Sequence, residues 1–309
     1  MDTLAVILTQ PEQLRLQRVG LLPPGEEDVV VDVEWSGIST GTEKLLWTGR
    51  MPAFPGMGYP LVPGYESVGR IVAAGPASGR AVGTRVFIPG SRGFRDVRGL
   101  FGGAAQRLVS PGRRVVPVDE SLGERAVLLA LAATAYHAIA AHPPELIVGH
   151  GVLGRLLARI IVALGAPPPT VWEADATRAG AQDGYQVTTA EADPRRDYAR
   201  VCDASGDPNI LDTLVARLAP GGEITLAGFY DRLSFAFAPA FMREARIRIA
   251  AEWHPADMEA LGTLIAQGAL SLDGLITHRE PALAAPDAYR TAFGDARCLK
   301  MILDWRSAE

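Results

Sequence analysis

Cysteine is almost absent from this chain: Cys202 and Cys298 are the only two in 309 residues. They form no CxxC pair and cannot by themselves hold a metal ion, so two buried thiols in a reducing compartment are expected. A surplus of charge is also missing. Thirty Lys and Arg stand against 35 Asp and Glu, a net charge of −5, which gives no general attraction to nucleic acid or to an anionic membrane. The opening MDTLAVILTQPEQLRL has no basic stretch and no cleavage site, so no signal peptide is expected. The longest uncharged run, Ala126–Pro144, is about long enough to span a bilayer. It is mostly alanine, however, with Thr134, Tyr136, His137 and His142 inside it, and a buried helix accounts for it better. Internal repeats and low-complexity tracts are absent too.

What is present fits a soluble globular protein of two domains: 48% hydrophobic and 21% charged residues. The first 120 residues are rich in Gly and Pro. Short apolar runs (LAVIL, VVVDVEW, GRIVAAG, TRVFI, RRVVPV) alternate with turn signals, the pattern of an irregular β unit. After Asp119 the pattern changes. Ser121 with Glu124 three residues on reads as a capping box that opens a helix running to about His142, where Pro143-Pro144 stops it. Strands are then expected at 145–148, 170–173, 201–204, 223–229 and 246–251, with helices at 153–164 and 209–218. Alternation at this spacing predicts parallel βαβ units. One helix, 256–267, and a strand, 299–305, returning to the first domain complete the chain.

Gly149-His150-Gly151-Val152-Leu153-Gly154 fits G-x-G-x-x-G between a strand and a helix. In that setting Gly149 permits the tight turn, Gly151 lets backbone approach a pyrophosphate, and Gly154 lets the helix pack on the strand. The helix N-terminus favours the phosphates. Glu173 ends the next apolar run, about 20 residues on, where an acid accepts hydrogen bonds from ribose hydroxyls and repels a 2′-phosphate. NAD is therefore the expected cofactor. Asp175 is a rival for the ribose, Arg178 is placed to flank the adenine, and Leu153 and Gly228 complete the expected cofactor-binding set. His150 is expected at the pyrophosphate or facing solvent.

The order of β-rich domain, Rossmann domain and short return resembles the medium-chain dehydrogenase/reductase superfamily over nearly the whole chain. That resemblance implies an α/β fold: a doubly wound parallel Rossmann sheet plus an irregular β-rich, GroES-like catalytic domain. The domains are expected at 1–121, 122–253 and 254–309. It also implies that Thr134, in the segment Thr134-Ala135-Tyr136, touches the nicotinamide. The zinc enzymes of the superfamily carry ligands in G-x-C-x-x-D, in G-H-E and shortly before T-x-Y. Here those positions hold Ser39, Tyr65 and Ala130, and the four-cysteine structural lobe is missing. A hydroxyl, a phenol and a methyl cannot replace thiolate and imidazole around zinc, so no metal is expected. The strings GISTGTEKLLWTGRMP, YPLVPGYESVG, LFGGAAQ and LLALAATAYHA resemble more closely the dehydrogenase family of bacteriochlorophyll synthesis. That resemblance implies a tetrapyrrole substrate whose hydroxyethyl group becomes an acetyl group.

Without zinc, side chains must take the proton and hold the developing alkoxide. Tyr65 is the first candidate, with Lys44 as a source of a lowered pKa and with Ser39, Thr40 and Thr42 as relay hydroxyls. Glu43 and Glu66 are expected to hold Lys44 or Arg70. Trp47, Met51, Phe54, Met57 and Tyr59 are dense enough in aromatics to line a slot for a flat macrocycle, with core packing as the plain alternative. Arg92, Arg95 and Arg98 offer forks for its propionate, and His137 lies near the expected nicotinamide segment. The expected protein is an NAD-dependent, zinc-free dehydrogenase, cytoplasmic or peripheral to photosynthetic membranes. No nucleic-acid partner is expected, and self-association is left open. A zinc-free quinone or enone reductase and a non-catalytic pigment-binding protein are the alternatives.

Overall fold

The strand Asp28–Ile38 organises the first part of the chain. Its β-branched VVVDV run suits a pleated, buried position, and most of its residues are buried. It pairs antiparallel with Ser67–Ala74, Arg107–Pro111 and Met301–Asp304. The sheet extends through Arg85–Ile88 to Val116–Pro117 on one side and to His278–Pro281 on the other. A smaller sheet orders Gln13–Gly20, Asp2–Gln10, Leu61–Val62 and Arg98–Gly99. The two sheets share one core that includes Ala5, Ile7, Val31, Ile71, Leu108 and Trp305. The indole N–H of Trp305 donates to Ser36 Oγ at 2.8 Å, so its one polar atom is satisfied where it is buried.

The next part of the chain forms a six-stranded sheet. Its strands, in chain order, are Leu146–Val148, Thr170–Trp172, Gln186–Thr188, Tyr198–Asp203, Leu218–Leu226 and Arg246–Ile249. In space they run third, second, first, fourth, fifth, sixth, and every neighbouring pair is parallel. This is the doubly wound Rossmann order, whose direction reverses between the first and fourth strands. Helix Val152–Ala163 buries Leu156, Leu157, Ile160 and Ile161, a stripe at helical spacing.

This computed structural model describes residues 1–180, 184–230 and 232–308. The chain divides into two units, Met1–Ala130 with Asp273–Glu309, and Leu131–Leu272. The divisions expected from sequence, at 121/122 and 253/254, fall earlier than these. Among the described residues no helix is long and apolar enough to cross a membrane. Cys202 and Cys298 are both buried.

Two local expectations are corrected, and one helix is additional. The helix expected over 121–142 is a 3-10 segment, Glu120–Leu128, followed by helix Leu129–Ile139. Gly123, at φ 55° and ψ −138°, interrupts it, and Asp119 rather than Ser121 supplies the cap by accepting the Ser121 N–H. Glu124 pairs with Arg279 instead of closing a capping box. The helix expected over 209–218 spans only Leu211–Val215, because Leu218 to Gly222 join the following strand. Helix Ala285–Gly294 was not foreseen.

Candidate active site

Ser39 follows directly on the strand ending at Ile38, and Thr42 opens helix Thr42–Trp47. Tyr65 stands after Gly64, whose φ of +95° suits a residue without Cβ. The structure brings these three hydroxyls together: Ser39 Oγ lies 2.6 Å and Thr42 Oγ1 3.4 Å from Tyr65 Oη. Phe101 stacks edge-on against the Tyr65 ring at 5.5 Å. Thr40, half-buried, is not part of this set.

Lys44 does not play the part expected of it. Its ammonium donates to the Phe293 carbonyl at 3.1 Å, away from the phenol. The lowered pKa foreseen for Tyr65 is reversed: burial and the neighbouring Glu66 charge push it well above the usual phenol range. Nor do the two glutamates hold Lys44 or Arg70. Arg70 forms a two-pronged pair with Glu120. Glu43, fully buried, accepts the Ser39 N–H at 3.0 Å and the Tyr289 hydroxyl at 2.7 Å. Burial raises its pKa from 4.5 to about 7. Glu66, also fully buried, takes the Lys300 ammonium at 2.6 Å on one oxygen, and its other oxygen has no protein partner. Burial raises its pKa, and Lys300 offsets part of that.

The aromatic set separates. Met51 is buried among Leu8, Leu46, Leu61 and Leu100, while Trp47, Met57 and Tyr59 pack against that cluster. Tyr59 also donates to the Leu46 carbonyl. Phe54 is exposed. The three arginines separate as well, although all are exposed. Arg98 Nη1 donates to the Tyr59 carbonyl at 3.3 Å, beside the aromatic loop. Arg95 reaches toward the Leu21 carbonyl at 3.5 Å. Arg92 stands near Arg114, whose pKa is lowered chiefly by burial and further by that like charge.

In the second unit Gly149 has φ +95°, and a Cβ on it would press within 3.0 Å of Ser205 Cα. A Cβ on Gly154 would fall 1.8 Å from the Gly149 carbonyl oxygen, whereas one on Gly151 would meet nothing within 4 Å. Gly151 caps helix Val152–Ala163, whose first-turn N–H groups lack intrahelical acceptors. The turn therefore combines a strained bend, close helix packing and open space at the helix N-terminus, which fits a dinucleotide pyrophosphate. Leu153 lies in that first turn, half-buried. Glu173 accepts the His150 N–H at 2.9 Å on one oxygen and the Asp175 N–H at 2.8 Å on the other. Asp175 is engaged with Thr177. Arg178 is half-buried at the end of the same turn.

Thr134 lies half-buried on helix Leu129–Ile139. His137, one turn further on, meets Asp257 at 2.9 Å and the His254 ring at 4.8 Å. Gly228 donates its N–H to the Asp203 carbonyl at 3.1 Å, and a Cβ there would lie 2.5 Å from the Tyr230 hydroxyl. His150 was expected at the pyrophosphate or facing solvent, and its side chain does not face solvent. It is fully buried between the Arg178 carbonyl and the Tyr185 hydroxyl. Among the described residues no group of three or more His, Cys, Asp or Glu side chains could hold a metal ion.

The family model for the alcohol dehydrogenase GroES-like domain matches residues 25–120. An alcohol dehydrogenase from Escherichia coli complexed with NADH superposes with a TM-score of 0.82, covering 98% of this chain and 99% of its own, at 20% identity. A dehydrogenase from Sinorhizobium meliloti bound to NADP gives 0.81 at the same identity, with 98% and 99% covered. These likenesses establish the medium-chain dehydrogenase fold. The 2-desacetyl-2-hydroxyethyl bacteriochlorophyllide A dehydrogenase of Rhodobacter capsulatus is 57% identical over 314 residues, all of both chains.

This chain belongs to that dehydrogenase family. It is an alcohol-type oxidoreductase. In this bacteriochlorophyllide dehydrogenase family member, the sequence concealed Lys300 and Tyr289. Each is separated by more than 200 residues from the glutamate it serves. The signal that was available is a lysine inside the otherwise apolar CLKMIL run. A charge there needs a buried partner.

Proposed function

We propose that this protein oxidises the hydroxyethyl side chain of a bacteriochlorophyllide-type tetrapyrrole to an acetyl group, with NAD⁺ as cofactor and without zinc. The observation that carries the chemistry is the meeting of the Ser39 and Tyr65 hydroxyls, at two positions where zinc enzymes of the superfamily place ligands, with the Thr42 hydroxyl beside them. The substrate follows the name and identity of the Rhodobacter relative. Bound NAD⁺ supplies the hydride acceptor. Gly149, Gly151 and Gly154 would admit its pyrophosphate and Glu173 its ribose hydroxyls, each carboxylate oxygen keeping an acceptor position beside its present N–H bond. A Glu173 charge disfavours the 2′-phosphate of NADP⁺.

Removing hydride from a CH–OH carbon leaves a proton to be taken from oxygen. A phenol whose ionisation is disfavoured is a poor stored base. It works instead as a relay: the Tyr65 oxygen accepts the substrate proton as its own proton passes to Thr42, a partly exposed hydroxyl that releases one proton to bulk water, while Ser39 keeps the phenol in place. No charged tyrosinate is needed, and the phenol keeps one hydrogen bond on the developing carbonyl oxygen throughout.

The test combines purified protein, NAD⁺ and a hydroxyethyl chlorophyllide, following NADH absorbance and the pigment's red band together. Both should change at equal molar rates. Dialysis against a strong chelator should leave the rate intact, and elemental analysis should find no stoichiometric zinc. A tightly bound zinc whose removal abolishes turnover overturns the metal-free part; no pigment change overturns the substrate.

A further inference from the structure

We propose that His150, the variable residue between the first two glycines of the dinucleotide turn, is a positioning residue: it clips the 174–180 loop to that turn and so sets how tightly the adenosine end of the cofactor is held. This rests on the cofactor reading above and adds a residue and a role to it. An imidazole is costly to bury unless both ring nitrogens find partners. His150 is fully buried, and both do: Nδ1 meets the Arg178 carbonyl at 2.6 Å and Nε2 the Tyr185 hydroxyl at 3.0 Å. A carbonyl only accepts. The proton is therefore assigned to Nδ1, and Nε2 accepts from the tyrosine. Burial lowers the basicity of the ring, in keeping with this neutral tautomer. The Tyr185 ring packs edge-on at 5.7 Å.

The backbone of the same residue is engaged as well. Its N–H donates to Glu173 at 2.9 Å, and its carbonyl accepts from Arg155 Nε at 3.1 Å. Arg155 Nη2 reaches the Arg178 carbonyl at 3.2 Å, so that one carbonyl takes both the imidazole and the guanidinium. Residue 150 thus ties the strand-ending acid, the loop after it and the helix N-terminus to one another. The 174–180 loop has no regular secondary structure. Within it a turn joins the Arg178 N–H to the Asp175 carbonyl, and Asp175 holds Thr177. Its attachment to the glycine turn runs through His150, Arg155 and Glu173. A loop fixed before binding loses less freedom when a ligand arrives, and affinity rises accordingly.

The experiment measures equilibrium binding of NAD⁺ and of AMP to the full-length protein by calorimetry, for the parent and for His150→Phe, His150→Asn and Tyr185→Phe, with steady-state kinetics alongside. Phenylalanine keeps the ring volume and loses both bonds. Asparagine places an N–H donor near the position of Nδ1. His150→Phe should weaken AMP and NAD⁺ by the same factor, about tenfold, raising KM for NAD⁺ while kcat at saturation holds. His150→Asn should recover most of the affinity. Unaltered AMP binding in a folded His150→Phe, or a fall in kcat with KM unmoved, overturns the clip and leaves the cofactor reading standing. If His150→Phe does not fold, Tyr185→Phe decides: a loss of AMP affinity of at least twofold supports the clip, and parental affinity overturns it. A parent that binds neither NAD⁺ nor AMP overturns the cofactor reading and the clip together.

Discussion

Tyr65 is where a single atom matters most. Its hydroxyl is the junction between Ser39 and Thr42, and its ring is held independently by Phe101. Tyr65→Phe should therefore keep the local packing while removing the relay. General acid–base groups contribute about 10²–10⁴-fold, so kcat should fall within that range with NAD⁺ affinity unchanged. A loss below about threefold would return Tyr65 to a packing role. Arg98 gives a second residue-scale outcome. It lies against the Tyr59 carbonyl beside the aromatic loop, whereas Arg92 and Arg95 do not. If a propionate is held by a guanidinium fork, Arg98→Gln should raise KM for the pigment, leave KM for NAD⁺ alone, and matter little with a methyl-ester pigment. Equal effects on acid and ester would place the carboxylate elsewhere. Sequence made Ser39, Thr42 and Tyr65 readable because the superfamily pattern fixes where they fall. It misled on Lys44, which is close in sequence but turns to the Phe293 carbonyl.

Elements were most readable where a motif and a period agreed. The glycine turn, the strand before it and helix Val152–Ala163 stand within a residue or so of their expected places, since three glycines with distinct steric duties leave little choice of backbone. The segment at 120–139 was harder. A capping box at Ser121 and Glu124 competes with Asp119, whose carboxylate takes the Ser121 N–H at 2.8 Å, and Gly123 then breaks the helix. Propensity does not rank two rival caps placed so close together. The strand ending at Trp172 and the residue after it carry a prediction of their own. Glu173 is held by two backbone N–H groups, so the carboxylate faces the turn in a fixed orientation. Glu173→Ala removes both the ribose acceptor and the charge opposing a 2′-phosphate. The ratio of kcat/KM for NAD⁺ to that for NADP⁺ should then fall by about tenfold or more, roughly the worth of one charge-assisted hydrogen bond. Equal use of both cofactors by the parent would end the assignment of NAD⁺.

At the scale of the whole molecule, the return of the C-terminal segment decides what lies under the hydroxyl cluster. Met301–Asp304 pairs with the end of Asp28–Ile38, setting Lys300 on Glu66, and helix Ala285–Gly294 brings Tyr289 to Glu43. Such contacts depend on tertiary pairing across most of the chain, and local pattern is silent about them. They make stability depend on pH in a stated direction. Glu43 has a folded pKa of about 7 against an ordinary value of 4.5, so between those values the folded chain binds more protons than the unfolded one. The stability associated with the neutral carboxyl is complete below about pH 4.5 and is lost as pH rises through 7. The charged form costs on the order of 3 kcal/mol once ionised in both states. Glu43→Gln keeps an acceptor for the Ser39 N–H and cannot ionise. Its melting temperature should match the parent's near pH 5 and exceed it by several degrees near pH 8, with the gap opening between. Thermal melts across that range decide the matter. A variant equally stable with the parent at both ends, or less stable by a constant amount, would mean that the buried carboxylate is ionised at little cost, held by Tyr289 and the Ser39 N–H more strongly than burial opposes it.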